Sequence, residues 1–171
     1  MAGYVALLRA VNVGGTGKLP MAELQAMCRD AGFTRIQTYI ASGNVVFESK
    51  AAAKKIKSAL EARLLAYAGK PVGVVVRTAA EMAAVLKANP FPKAAPNRTV
   101  AIFLDEPPPR DALTHAVGAQ DEEMCLGERE IYVLYGAAGM GKSKLRIPAG
   151  KNGTARNMNT IAKLAALAAK L

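Results

Sequence analysis

Three stretches of the 171-residue chain gather side chains suited to holding an anion. The first is Arg9 to Lys18, RAVNVGGTGK, where Asn12, Gly14, Gly15 and Lys18 follow the apolar run Tyr4 to Leu8. A strand that runs through a glycine turn into a helix, here opened by Pro20, presents backbone N–H groups and a cation to a phosphate. The second is Thr154 to Thr160, TARNMNT, at the start of a predicted helix. A cation there opposes the helix dipole, so Arg156 calls for a facing anion or carboxylate. Asn157 or Asn159 serves as an N-cap, and two asparagines, a threonine and an arginine in so short a span exceed what a cap requires. The third, Gly136 to Ser143, fits the pattern G-x-x-x-x-G-K-[ST] after an expected strand.

That third match fails as a nucleotide triphosphatase. A working phosphate loop needs a helix opening at its lysine, whereas Pro148 lies six residues beyond Lys142. It also needs a later strand with a magnesium-holding aspartate, and the 28 residues after Ser143 contain no acid. Lys142 and Ser143 are kept as contacts to an anion of some other kind. His115 is the only histidine and reads as a surface or packed residue. Cys28 and Cys125 lack metal-type spacing and read as reduced, packed thiols of a cytoplasmic protein. No Ser-His-Asp, Cys-His or zinc pattern can be drawn, so the residues name no reaction, and neither metal nor cofactor is expected.

The charge points the same way. The net charge is +10, and after Glu130 the chain has no Asp or Glu at all. Lys142, Lys144, Arg146, Lys151, Arg156, Lys163 and Lys170 therefore supply seven of the ten net charges. A one-signed end raises the local concentration of phosphate ligands, nucleic acid or acidic proteins. No apolar run approaches a membrane span, and Val5 to Leu8 is too short for the core of a signal peptide.

These stretches must be positioned by an α+β frame. Tyr4 to Leu8 is a strand; Met21, Leu24, Met27, Cys28 and Ala31 share one helical face that Gly32 ends. Ile36 to Ile40 and Asn44 to Glu48 read as strands joined by the tight turn Ala41-Ser42-Gly43. Ile56, Leu60 and Leu64 stripe a second helix, and Val72 to Arg77 is a β-branched strand. The order βαββαβ predicts a ferredoxin-like, alpha-beta plait half over 1–78. Thr78-x-x-Glu81 is a capping box that opens a helix, and the proline-rich stretch 90–98 completes a helix and linker over 79–98. The second lobe, 99–171, reads as a strand, a helix from Pro107 through Val117, a hairpin around Gly127-Glu128-Arg129, a glycine- and lysine-rich loop and a last helix from near Asn157. This half is predicted to be an incomplete plait with no closing strand, ending in a C-terminal helix.

The ordered motifs YVALLRAVNVGG, MAEL, TYIASGNVVFES, VVVR, NPF, YVLY and TARNMNT resemble the bacterial family catalogued as domain of unknown function 1697. The resemblance covers nearly the whole chain and is most specific over the first forty-eight residues. It implies an α+β fold of two plait-like halves and no assigned chemistry. It also implies a polar motif set of Arg9, Asn12, Ser42, Asn44, Arg156, Asn157, Asn159 and Thr160. Ala10 stands where the family has glycine, and Met158 where it has tryptophan, which removes an aromatic surface.

The resulting expectation is a phosphate-bearing small ligand held in a cleft between the two lobes. Arg9, Lys18, Lys142 and Arg156 would supply charge. Asn12, Ser42, Asn44, Ser143, Asn157, Asn159 and Thr160 would set orientation, and Gly14, Gly15 and Gly43 would lend backbone. Two alternatives stand beside it: a nucleic-acid module using the basic C-terminal region, and a structural or partner-binding protein in which the same arginines are buried.

Overall fold

The computed structural model describes residues 1–9, 19–40 and 43–171. The strands in chain order are β1 (Ala2–Leu8), β2 (Thr34–Thr38), β3 (Asn44–Ser49), β4 (Val74–Thr78), β5 (Thr99–Phe103), β6 (Glu123–Leu126), β7 (Glu130–Leu134) and β8 (Thr154–Asn157). The helices are α1 (Met21–Asp30), α2 (Ala53–Ala68), α3 (Ala79–Lys87) and α4 (Met158–Ala169). The chain divides into two compact units, 1–83 with 163–171, and 84–162.

In the first unit the strands form an antiparallel sheet in the order β2-β3-β1-β4. Tyr4, Ala6, Leu8, Val45 and Phe47 lie on one face, where Leu24 and Met27 of α1 and Ile56, Leu60 and Leu64 of α2 cover them. The stacked rings of Phe33 and Phe47, 4.3 Å between centroids, close this core. The intervening residues Val5 and Leu7 are equally buried, so β1 exposes neither face. Gly69 ends α2 in the left-handed conformation, φ 73°, as an L residue would do only under strain. The capping box is formed in full: Thr78 Oγ1 accepts from the Glu81 N–H at 3.1 Å, and Glu81 Oε1 accepts from the Thr78 N–H at 2.8 Å. β2 carries a register shift between Thr34 and Gln37, where Arg35 adopts φ 51°. Its guanidinium donates to the Lys170 carbonyl at 3.0 Å, a cation at a helix C-terminal end, which the dipole favours.

The second unit holds a second antiparallel sheet, in the order β6-β7-β5-β8. Two expectations are corrected here. The helix predicted from Pro107 through Val117 is only a 3-10 turn at Ala112–His115. Three consecutive prolines withdraw three N–H donors and push each preceding residue out of the α region. The half predicted to lack a closing strand has one: β8 pairs antiparallel with β5 from Thr154 opposite Phe103 to Asn157 opposite Val100.

The registers of β1 with its two neighbours and of β5 with its two neighbours correspond residue by residue. The Leu8 N–H meets the Gly43 carbonyl at 2.8 Å, and the Leu104 N–H meets the Arg129 carbonyl at 2.9 Å, in each case just before the third strand of its sheet. Tyr4, Ala6 and Leu8 therefore match Val100, Ile102 and Leu104. What covers this face differs. The first unit uses two helices, while the second uses Leu113 of the 3-10 turn and Leu145, Ile147 and Ala149 of an irregular segment.

Candidate functional site

Among the described first-unit candidates, Arg9, Gly43 and Asn44 lie at the end of β1. The Arg9 N–H donates to the Gly73 carbonyl at 2.9 Å, and the half-buried Arg9 side chain runs alongside Gly73. Asn44 is fully buried; its Nδ2 donates to the Tyr39 carbonyl at 3.0 Å while its own carbonyl accepts the Tyr39 N–H at 3.0 Å. Asn44 thus ties down the β2–β3 connection, in which Gly43 takes φ 86°. Ile40, in the same connection, is half exposed at φ 49°, a conformation costly for a β-branched residue. Its strain has no sequence signal. Asn12, Gly14, Gly15, Lys18 and Ser42 lie outside the described residues.

The remaining candidates belong to the second unit and stand at opposite edges of its sheet. Arg156 is on the edge strand β8, not on a helix N-terminus, and only 8% of it is exposed. Its Nη1 donates to Thr154 Oγ1 at 2.6 Å and to the Ala155 carbonyl at 2.9 Å. Burial pulls its guanidinium down to about 10. Asn157 is the N-cap of α4, its Oδ1 accepting the Thr160 N–H at 3.0 Å, while Asn159 points to solvent and Thr160 is buried. At the other edge, just ahead of β6, the Ser143 hydroxyl donates to Glu122 Oε2 and Ser143 Oγ accepts the Leu145 N–H at 3.1 Å. The Ser143 hydroxyl and the Gln120 N–H hold the Glu122 carboxyl below its ordinary range. Lys142 is exposed at the end of the 3-10 turn Met140–Lys142. The Ser143 hydroxyl is thus taken up by a carboxylate, and no α-helix opens at Lys142.

A cavity of about 510 Å³ opens beside the same loop and was not expected from the sequence. Ile102, Tyr135, Leu145 and Ile147 form its apolar lining, with Arg146 and Lys151 among its walls. Arg146 exchanges two backbone hydrogen bonds with Val117, at 2.8 and 2.9 Å, so this stretch runs extended. The signal was legible: Lys144-Leu145-Arg146-Ile147 alternates cation and apolar residue with the period of a strand. Tyr135 is buried, and its phenol is pushed up first by burial and then by the Glu122 carboxylate. Apolar walls with a few convergent polar groups, at this volume, have the character of a ligand pocket.

Among the described residues no helix is long and apolar enough to cross a membrane, and no three His, Cys, Asp or Glu side chains cluster for a metal. Residues 1–132 match the family model described as protein of unknown function (DUF1697). The motifs YVLY and TARNMNT fall outside or at the edge of that match. The chain is similar to a solved structure, that of the conserved bacterial protein SP0830 from Streptococcus pneumoniae, at 22% identity. The likeness covers 97% of this chain and 98% of that one with a TM-score of 0.77, which shows a common fold. No curated protein matches the chain.

Proposed function

The chain belongs to the protein of unknown function (DUF1697) family, and from that premise we propose that it binds an organic anion in the cavity of the 84–162 unit. The ligand has an apolar body, for Ile102, Tyr135, Leu145 and Ile147, and a phosphate or carboxylate, for Arg146 and Lys151. The observation that carries this reading is the pairing of apolar walls with cations on a segment free of acids. The reading keeps the anionic ligand expected from the sequence and moves it away from Arg9 and Arg156. On this view the first unit is a ferredoxin-like plait, since the order β2-β3-β1-β4 drawn from a βαββαβ chain is that of the split βαβ unit, and the second repeats its strand order without the two helices. Two free thiols, one of them buried, support a cytoplasmic location.

The test is a thermal-shift panel of aryl and alkyl phosphates and carboxylates on the wild type and on Arg146→Ala and Lys151→Ala. Saturable stabilisation that both variants weaken supports the reading. Equal shifts in all three proteins, or none, would sink it.

A second reading has one observation of its own. The 1–83 with 163–171 unit carries thirteen Lys and Arg against five Asp and Glu, whereas 84–162 carries ten against eight. Nucleic-acid binding would therefore fall to the first unit, not the C-terminal segment. With Tyr4 to Leu8 buried throughout, β1 offers no stacking surface, so this reading rests on phosphate contacts. Binding to single-stranded oligonucleotides that collapses between low and moderate salt is the expected mark, and none at low salt removes it.

A further inference from the structure

We infer that the natural occupant of the cavity is an acidic, amphipathic helix of a partner protein; this rests on the anion-binding reading of the same cavity. The inference comes from the correspondence between the two sheets. In the first unit, the face built from Tyr4, Ala6 and Leu8 is covered by α1 and α2, and α2 inserts Ile56, Leu60 and Leu64 at intervals of four residues. In the second unit the matching face, Val100, Ile102 and Leu104, has no such helices. The segments that replace them form only 3-10 turns at Ala112–His115, Met140–Lys142 and Pro148–Gly150. The cavity opens on Ile102, the residue that corresponds to Ala6 beneath the first unit's helices. It is a gap on a sheet face of a kind that this chain elsewhere fills with helix. A helix laid in an apolar groove, with side chains at i, i+4 and i+8 as anchors, is a common mode of peptide recognition.

Charge selects the occupant. Lys142, Lys144 and Arg146 are exposed on the segment bordering the cavity, and no carboxylate pairs with them among the described residues. A helix docking there must be acidic on its flanks to avoid leaving these cations against like charge. None of this chain's own helices qualifies. α4 carries no acid, and α2 sets Lys54, Lys55, Lys57 and Arg63 against Glu61 alone. α1 sets Glu23 and Asp30 against Arg29, and α3 sets Glu81 against Lys87, but both already bury their apolar faces within the chain, through Leu24, Met27 and Cys28 and through Met82 and Val85. A second copy of the chain is therefore a poor fit, and the partner is a different protein. Val117 is 57% exposed although it lines the cavity, as expected of a contact made only when the site is filled.

The experiment uses the full chain and a synthetic fluorescent helix with leucines at i, i+4 and i+8 and glutamates on its flanks. The controls are the same peptide with leucines replaced by alanine, and with glutamates replaced by lysine. Saturable binding by the parent alone is expected, falling as salt rises. Val117→Asp and the pair Lys144→Ala with Arg146→Ala should each weaken it by about tenfold or more, the weight of one well-made contact. Val117 is exposed, so its substitution leaves folding intact. If the acidic helix does not bind while small anions still shift the wild type and not Arg146→Ala, the helix inference is overturned and the small-ligand reading stands. If neither binds, both fall. Equal binding of the lysine peptide overturns the charge argument and the inference with it.

Discussion

Arg77 and Arg156 occupy the same position in the two sheets. Each stands on the strand that closes its sheet, opposite a small or β-branched residue of the central strand: Val5 for Arg77 and Ala101 for Arg156. Each is followed by the residue that caps the next helix, Thr78 or Asn157. Both are buried, at 1% and 8% exposure. Arg77 Nη1 donates to the Val76 carbonyl at 3.3 Å, as Arg156 does to Ala155, the carbonyl one residue before it. The repetition of a buried cation, a cap and a helix start marks the two arginines as parts of the frame.

Arg156 should therefore register in stability. Replacing it with alanine removes charge-assisted hydrogen bonds to Thr154 and Ala155 and opens a void, at a cost of about 2–3 kcal/mol. Arg156→Lys should recover only part of this, because an ammonium cannot reproduce the planar fork. Urea midpoints with unchanged slopes measure both. A midpoint for Arg156→Ala equal to the wild type's would return the residue to the ligand-binding set.

The caps give a matched pair. Thr78→Ala and Asn157→Ala should each cost about 1 kcal/mol, since each strips the acceptor from an N3 amide. Asn159→Ala, exposed and outside the cap, should leave the midpoint unchanged. Glu81→Ala should add little to Thr78→Ala, because the box is reciprocal and its halves are coupled. Additive losses in that double variant would show that the two bonds act separately.

These caps also show what was legible in the chain. Thr78-x-x-Glu81 and Gly69 declare themselves because the interaction closes within one helical turn. β8 does not, because its inward residues are Thr154 and Arg156, and only pairing with β5 makes the segment a strand. The same unseen pairing put Arg156 at a helix N-terminus, whereas it stands on β8 just ahead of the cap Asn157. The helix predicted from Pro107 failed on local chemistry that was visible, the proline triplet. The cavity stayed hidden because Ile102, Tyr135 and Leu145 meet only through sheet order, although the alternation of Lys144 to Ile147 was there to be read.

The Gly136 to Ser143 loop should be silent toward nucleotides. ATP with magnesium should give no thermal shift, and Lys142→Ala should change nothing. Ser143→Ala should let the Glu122 carboxyl rise toward its ordinary value, because the hydroxyl is the chief cause of its depression. Carboxyl chemical shifts across an acid titration would show it. A Glu122 titration that does not move in Ser143→Ala would disprove this contact as the cause.

Cys28 carries the clearest pH dependence. It is fully buried on the inner face of α1, and desolvation pushes its thiol up to about 12 against the pull of Arg29 and Arg63. In the unfolded chain the thiol ionises near its ordinary value, 9.0, so between these limits the folded state holds more protons than the unfolded one. Stability from this group is then complete below pH 9 and is lost as pH rises toward 12. Cys28→Ala should flatten that part of the stability profile relative to wild type, at some constant cost in packing. A thiolate-selective reagent at pH 8 should modify the half-buried Cys125 promptly and Cys28 only at the rate of unfolding, giving one thiol in the native protein and two in urea. Prompt modification of both thiols in the native state would mean that α1 opens readily, and the alkaline slope should then vanish with it.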